Sequence, residues 1–168
     1  LRRAGAPLFK QIFAKWNDID RAIRDRSTEL AAAGYTPQVV PRDGESYSLL
    51  FELDAHDERH LIDKPRQTFD AERISTSALT RPLLQDFVLQ PDIFVGGPAE
   101  VSYYAQITPL HDLLNVPLSR IALRGHPLVA PRRVLRFLDR YSLSTAEIFS
   151  SPDSLLAALD AEGVDAIR

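Results

Sequence analysis

Two short apolar runs constrain this chain more than anything else in it. Ile93-Phe94-Val95 leads at once into Gly96-Gly97-Pro98 and a helical pattern carrying Val101, Tyr104 and Ala105. Ile121-Ala122-Leu123 leads into Arg124-Gly125-His126 and a helical pattern from Pro131 to Arg140. A wholly apolar run this short, closed by turn residues, reads as a strand buried on both faces. Strand, helix, strand, helix in succession is the pattern of parallel α/β packing, since parallel neighbours need a crossover and a helix supplies it. The expected fold class is therefore α/β, with 93–95 and 121–123 as parallel strands of one sheet joined by a right-handed crossover through the Pro98 helix. Pro109 is expected to break or restart that helix.

The upstream half reads differently. Leu8, Ile12, Trp16, Ile19, Ile23 and Leu30 recur at spacings of three, four or seven, which predicts one long N-terminal helix continued by Ala31-Ala32-Ala33 and stopped at Gly34. The stripe suits an ordinary helix packed on a core, or a coiled-coil seam. Gln38-Val39-Val40 reads as a strand and Pro41-Arg42-Asp43-Gly44 as a turn. Tyr47, Leu49 and Phe51 alternate with other residues, and a second run covers Arg59 to Ile62, so a small antiparallel hairpin or meander is expected. Residues 64–80 read as loop with a helical turn near Asp70 to Ile74, and Arg81 to Leu89 as a short helix with Leu84, Phe87 and Val88 on one side. Short helices at about 144–149 and 152–161 complete the reading.

Length and composition then remove whole classes. The 168 residues fit one domain, 1–168, with 45% hydrophobic and 26% charged residues, so wholesale disorder is excluded. A net charge of −3 argues against a nucleic-acid binder driven by a basic surface. No apolar run approaches the roughly 20 residues that span a bilayer, so no membrane partner is expected. The chain has no cysteine, which removes disulfides, thiolate metal sites and a cysteine nucleophile. It also has no methionine and starts at Leu1, which reads as a piece of a longer protein.

Chemistry is expected where loops leave the carboxyl ends of parallel strands, because ligands bind at that edge. Gly96-Gly97 and Arg124-Gly125-His126 both leave such ends. If the strands are neighbours, a glycine loop, a helix N-terminus, a guanidinium and an imidazole face one crevice. Glycine admits a ligand to the backbone, the helix end favours an anion, and arginine can grip a carboxylate or phosphate with two contacts. Arg124 is expected to matter more than His126, because its charge is permanent. Two readings of the loop stay open: an anion cradle, or a structural turn in which Glu100 folds back to cap its own helix. His56 and His60 share the i, i+4 spacing of some zinc sites, yet they fall in a hairpin tip without a general-base pattern, and no metal is predicted.

Larger motifs carry a resemblance. Ser77-Ala78-Leu79-Thr80-Arg81-Pro82-Leu83-Leu84-Gln85-Asp86, then Val95-Gly96-Gly97-Pro98-Ala99-Glu100 and Tyr103-Tyr104-Ala105-Gln106, resemble the cysteine ligase (BshC) family of bacillithiol biosynthesis. That family has RP-x-x-QD, VGGP-[AG]-E and Y-x-AQ segments in this order. Ala33-Gly34-Tyr35, Gln38-Val39 and Leu50-Phe51 also agree in order, and Leu123-Arg124 stands where the family has a proline-arginine after a strand. The similarity covers nearly all of this chain and a central portion of the longer family protein. Departures fall at Thr36, at Gln90-Pro91-Asp92 and at Gly125-His126.

The resemblance implies a fragment of a Rossmann-like ligase core, with parallel strands, a small antiparallel hairpin and a long N-terminal helix. It implies a cytoplasmic bacterial enzyme that adds cysteine to glucosamine-malate, with ATP as a possible substrate and a possible homodimer through a coiled coil of the full-length protein. Arg81, Gln85, Gly96, Gly97, Arg124 and His126 are the substrate- or nucleotide-binding residues expected on this basis, with catalytic residues not assigned. The alternative is a nucleotide or sugar-phosphate binding module without chemistry of its own. The fragment alone lacks a P-loop and a G-x-G-x-x-G run and is expected to be inactive.

Overall fold

The stripe of the N-terminal segment is buried, but it is carried by two helices. A computed structural model describes residues 1–42, 44–125, 127, 129–146, 149 and 153. Helix α1 (Ala6–Ala14) and helix α2 (Trp16–Ala32) meet at Lys15, whose φ of −109° and ψ of 23° leave helical geometry. The single long helix is thus corrected to a pair. Leu8, Ile12, Trp16, Ile19 and Ile23 all lie in one core within this chain. The stop is as expected: Gly34 has φ +86°, its N–H donates to the Ala31 carbonyl, and Tyr35 N–H donates to the Leu30 carbonyl. These are the two bonds of a Schellman motif, and the left-handed residue between them favours glycine.

The hairpin forms, with a third strand beside it. Strand β1 (Leu50–Leu53) pairs antiparallel with β2 (Arg59–Leu61) and with β3 (Ile74–Thr76), in the order β2-β1-β3. Strand β3 falls inside the stretch read as loop. Its three residues, Ile-Ser-Thr, are too few to show a period, and pairing with β1 makes them a strand. A 3₁₀ turn at Ala71–Arg73 precedes it, where a helical turn is expected, capped by Asp70 accepting from the Glu72 N–H at 3.0 Å. Gln38-Val39-Val40 forms no strand. The Val39 main chain is bonded instead to one side chain: its N–H donates to Gln106 Oε1 and its carbonyl accepts from Gln106 Nε2, both at 2.9 Å. A buried carboxamide does there what a neighbouring strand would do. Asp43 of the following turn lies outside the described residues.

Helix α3 (Thr80–Leu89) leads into β4 (Ile93–Gly96), helix α4 (Pro98–Leu114) and β5 (Arg120–Leu123). Strands β4 and β5 are parallel neighbours, with Phe94 opposite Ile121 and Val95 opposite Ala122. This is the sheet the sequence predicts. Helix α4, however, runs unbroken through Pro109. Proline has no N–H to give the carbonyl four residues back, so the Ala105 carbonyl loses its helical partner. Arg26 of α2 supplies one, donating from Nε at 3.1 Å. Burial on both strand faces is also corrected. Phe94 packs on Tyr104 of α4, ring centroids 4.6 Å apart, but Ile93 and Val95 on the opposite face are 50% and 59% exposed.

The chain falls into two compact units, Leu1–Arg124 and Gly125–Arg168. The first holds the core just described. In the second, helix α5 (Arg132–Arg140) follows Pro131 as expected and packs Leu138 with Leu143. His126 and most of the two last expected helices lie outside the described residues. Among the described residues no helix is long and apolar enough to cross a membrane.

Candidate functional site at the carboxyl edge of the parallel pair

The two loops meet where the parallel register brings them. The Arg124 N–H donates to the Gly96 carbonyl at 2.8 Å, continuing the ladder one step past the strands. This places the Arg124 side chain over Gly97. A Cβ on Gly97 would stand 3.0 Å from Arg124 Nη2 and 3.4 Å from Glu100 Oε2. Gly97 has φ −72° and ψ 172°, which any residue can adopt, so space and not backbone strain calls for glycine here. Gly96 plays a different part. A Cβ there would lie 2.6 Å from Phe94 Cε1, so this glycine makes room for a core ring.

Glu100 decides between the two readings of the loop. Its Oε2 accepts the Gly97 N–H at 2.7 Å, closing the first turn of α4 on itself. A carboxylate already sits where an anion would bind, and its charge opposes a second one. The Arg124 guanidinium has no hydrogen-bond or ion-pair partner among the described residues. Gly97 is thus flanked by an unpaired cation and by a carboxylate with one oxygen still free. Opposite charges on either side of a bare backbone suit a ligand carrying both signs, such as an amino acid, better than a phosphate chain.

Arg81 and Gln85 lie one turn apart on α3. Arg81 Nη2 donates to the Tyr103 hydroxyl at 3.3 Å. Tyr103 follows Glu100 by three residues, so both project from one side of α4. Gln85 stands one turn after Arg81 in α3, and the two line a groove that neither Gly97 nor Arg124 lines. Of the expected site residues, Gly97 and Arg124 therefore meet at the carboxyl edge, Arg81 reaches α4 through Tyr103, Gln85 does not join them, and Gly96 faces the core.

At the other end of the strands, where they begin, is a buried polar junction that sequence reasoning did not single out. Asp86 accepts from Ser119 Oγ at 2.7 Å, and the His111 ring Nε2 lies 3.0 Å from its other oxygen. Ser119 Oγ is also 2.9 Å from the Pro91 carbonyl. One carboxylate thereby ties α3, α4, the approach to β4 and the start of β5 together. The Tyr104 hydroxyl is buried beside it without a hydrogen-bond partner among the described residues; burial and then the Asp86 charge hold its pKa well above the ordinary tyrosine value. Asp86 and Gln106 both stand in the quoted motifs, so the signal was present. Their type, polar and mid-motif, did not reveal that they are buried.

The hairpin tip gathers one further group, Asp54, Glu58 and His60, with ligand atoms within 4.8 Å of one another. Asp54 is already engaged: Oδ1 accepts the His56 and Glu58 N–H groups at 2.8 and 3.0 Å, and Oδ2 lies 2.9 Å from His60 Nε2. These bonds, His60 first, hold the Asp54 carboxyl below its usual range. This is the bonding of a tight polar turn.

A parallel β-α-β unit with a glycine loop at its carboxyl edge is the kind of unit from which Rossmann-like folds are built. Residues 66–125 match the family domain described as "Bacillithiol biosynthesis BshC, N-terminal Rossmann-like domain". The chain is BshC-like well beyond that domain. It is 31% identical to the "Putative cysteine ligase BshC" of Koribacter versatilis, over 95% of this chain and 33% of that protein. It is 25% identical to the Staphylococcus carnosus protein of the same name, over 89% of this chain and 31% of that protein. The chain thus spans about a third of the length of these relatives.

Proposed function

We propose that this chain is part of a cysteine ligase core that joins cysteine to glucosamine-malate in bacillithiol biosynthesis. The observation that carries the reading is the Gly97 loop, with Arg124 and Glu100 on either side of it at the carboxyl edge of β4 and β5. Cysteine is a zwitterion. Its carboxylate suits the Arg124 fork and its ammonium suits Glu100. Likeness to BshC proteins supports cysteine over other amino acids. In the reaction the cysteine carboxyl is activated at the expense of ATP. The sugar amine then attacks the acyl carbon, forms the amide and expels the activating group. Holding both ends of the amino acid fixes the acyl carbon for that attack, and misplacement by about 1 Å costs around 10²-fold in rate.

The test is a coupled assay of a protein of the relatives' full length carrying this stretch, given cysteine, ATP and glucosamine-malate, with bacillithiol read by mass. Product is expected, and Arg124→Lys should lose much of the cysteine affinity, because lysine keeps the charge without the fork. Equal affinity in the lysine variant rejects the role of Arg124. Absence of product with intact protein rejects the ligase. The 168-residue chain alone should give no product, since it lacks a nucleotide-activating set.

A further inference from the structure

A cavity of about 700 Å³ opens between the N-terminal turn, β3 and the first turns of α3, and neither the glycines nor Arg124 line it. That size is typical of small-molecule sites. Its floor is apolar: Ile74 and Leu84 are 1% and 4% exposed. Its walls carry Arg2, Arg3 and Arg81 against the single carboxylate of Glu72. Arg3 is paired with Glu72, and Arg2 Nη1 reaches the Glu72 carbonyl at 3.4 Å. Arg81 spends one N–H on Tyr103 and keeps the others. The Ser75 and Thr76 hydroxyls and the Gln85 amide, all lining the groove, have no hydrogen-bond partner among the described residues. Strand β3 is the edge of its sheet, so this flank is open.

The lining is therefore rich in donors, in positive excess, and set over an apolar floor. Charge in such a cleft is felt more strongly than on a flat surface. We propose that this groove binds a small molecule bearing two negative charges on oxyanions, either a dicarboxylate or a phosphate monoester, with Arg81 as its principal contact. The assignment does not rest on the ligase reading, and it concerns the side of α3 that faces β3 and the N-terminal turn, away from the Gly97 loop.

The experiment is calorimetric titration of the 168-residue chain, at low salt, with succinate and separately with inorganic phosphate. Saturable binding of either supports the site, and the tighter of the two names the source of the charge. Arg81→Gln should weaken the binding about tenfold or more, and Arg81→Lys by less, as expected for loss of a charged fork. Arg21→Gln, on the exposed side of α2, should leave it unchanged. Absence of saturation with both anions overturns the site, as does saturation that Arg81→Gln leaves intact. Should Arg81→Gln lower the thermal midpoint, amide resonances of the unmodified chain decide. Shifts on titration at Ser75, Thr76 and Gln85 support the groove, and shifts confined to other residues overturn it.

Discussion

Adjacent glycines make opposite predictions. Gly96→Ala drives a methyl into the Phe94 ring, which α4 holds in place, so it should destabilise the chain by about 1–3 kcal/mol, as overpacking does. Gly97→Ala meets only the mobile end of Arg124, so stability should change by less than about 0.5 kcal/mol, while the guanidinium is displaced and amino-acid affinity falls. Denaturant unfolding of the two variants separates them, and equal losses of stability would erase the distinction. The sequence marks both glycines alike, because their difference lies in what the fold turns toward each of them: the Phe94 ring at Gly96 and the Arg124 side chain of the next loop at Gly97. Tyr104 gives a second case. Its hydroxyl is buried without a partner among the described residues, and such a group costs about 1–3 kcal/mol. Tyr104→Phe should therefore be neutral or stabilising. Because burial and then the Asp86 charge raise the folded-state pKa, the unmodified chain keeps its full stability below the ordinary tyrosine range and loses some as pH rises from that range toward the folded-state value. Unfolding curves at neutral and alkaline pH should converge on less pH dependence in the phenylalanine variant.

At the scale of elements, long-range hydrogen bonds account for what the local pattern misses. Both parallel strands and α3 are legible because their apolar periodicity is local. The continuity of α4 is not, since it depends on Arg26 reaching the Ala105 carbonyl from α2. Nor is the segment at Val39, which pairs with a side chain 67 positions away. Strand β3 needs β1, and the break at Lys15 interrupts a stripe that continues in phase. The hairpin tip shows the same logic in a form that pH can probe. Asp54 is held below its usual range chiefly by His60 and then by two backbone N–H groups. A lowered folded-state pKa gives a contribution that is present above the unfolded value and lost as pH falls through the folded one. Protection of the His56 and Glu58 amides, their exchange rate relative to that of a free amide at the same pH, should therefore be lost only under acid conditions. In Asp54→Ala it should be lost at neutral pH as well, and unchanged protection there would remove Asp54 from the turn.

For the molecule as a whole, the informative feature is a sheet covered on one side. Parallel sheets occur with both faces covered, because crossover helices lie on them. Here α4 covers the Phe94 face, while Ile93 and Val95 stand half open to solvent on the other. The apolar composition of the run, which predicts burial on both faces, matches a sheet more fully clothed than the one present. The chain spans about a third of its relatives, so the proportion of polypeptide that can clothe it is large. The comparison of one substitution in two settings tests this. In the 168-residue chain, Val95→Lys puts a charge on a side chain 59% exposed, and stability should move by no more than about 0.5 kcal/mol, with binding of an apolar dye reduced. In a protein of the relatives' full length, a covered face would bury that ammonium without a partner, and a loss of several kcal/mol is expected. Thermal unfolding of both forms gives the answer. A lysine tolerated equally in the two would mean that the open face is native to the family's fold, and that the doubly apolar strand is not read by a second layer at all.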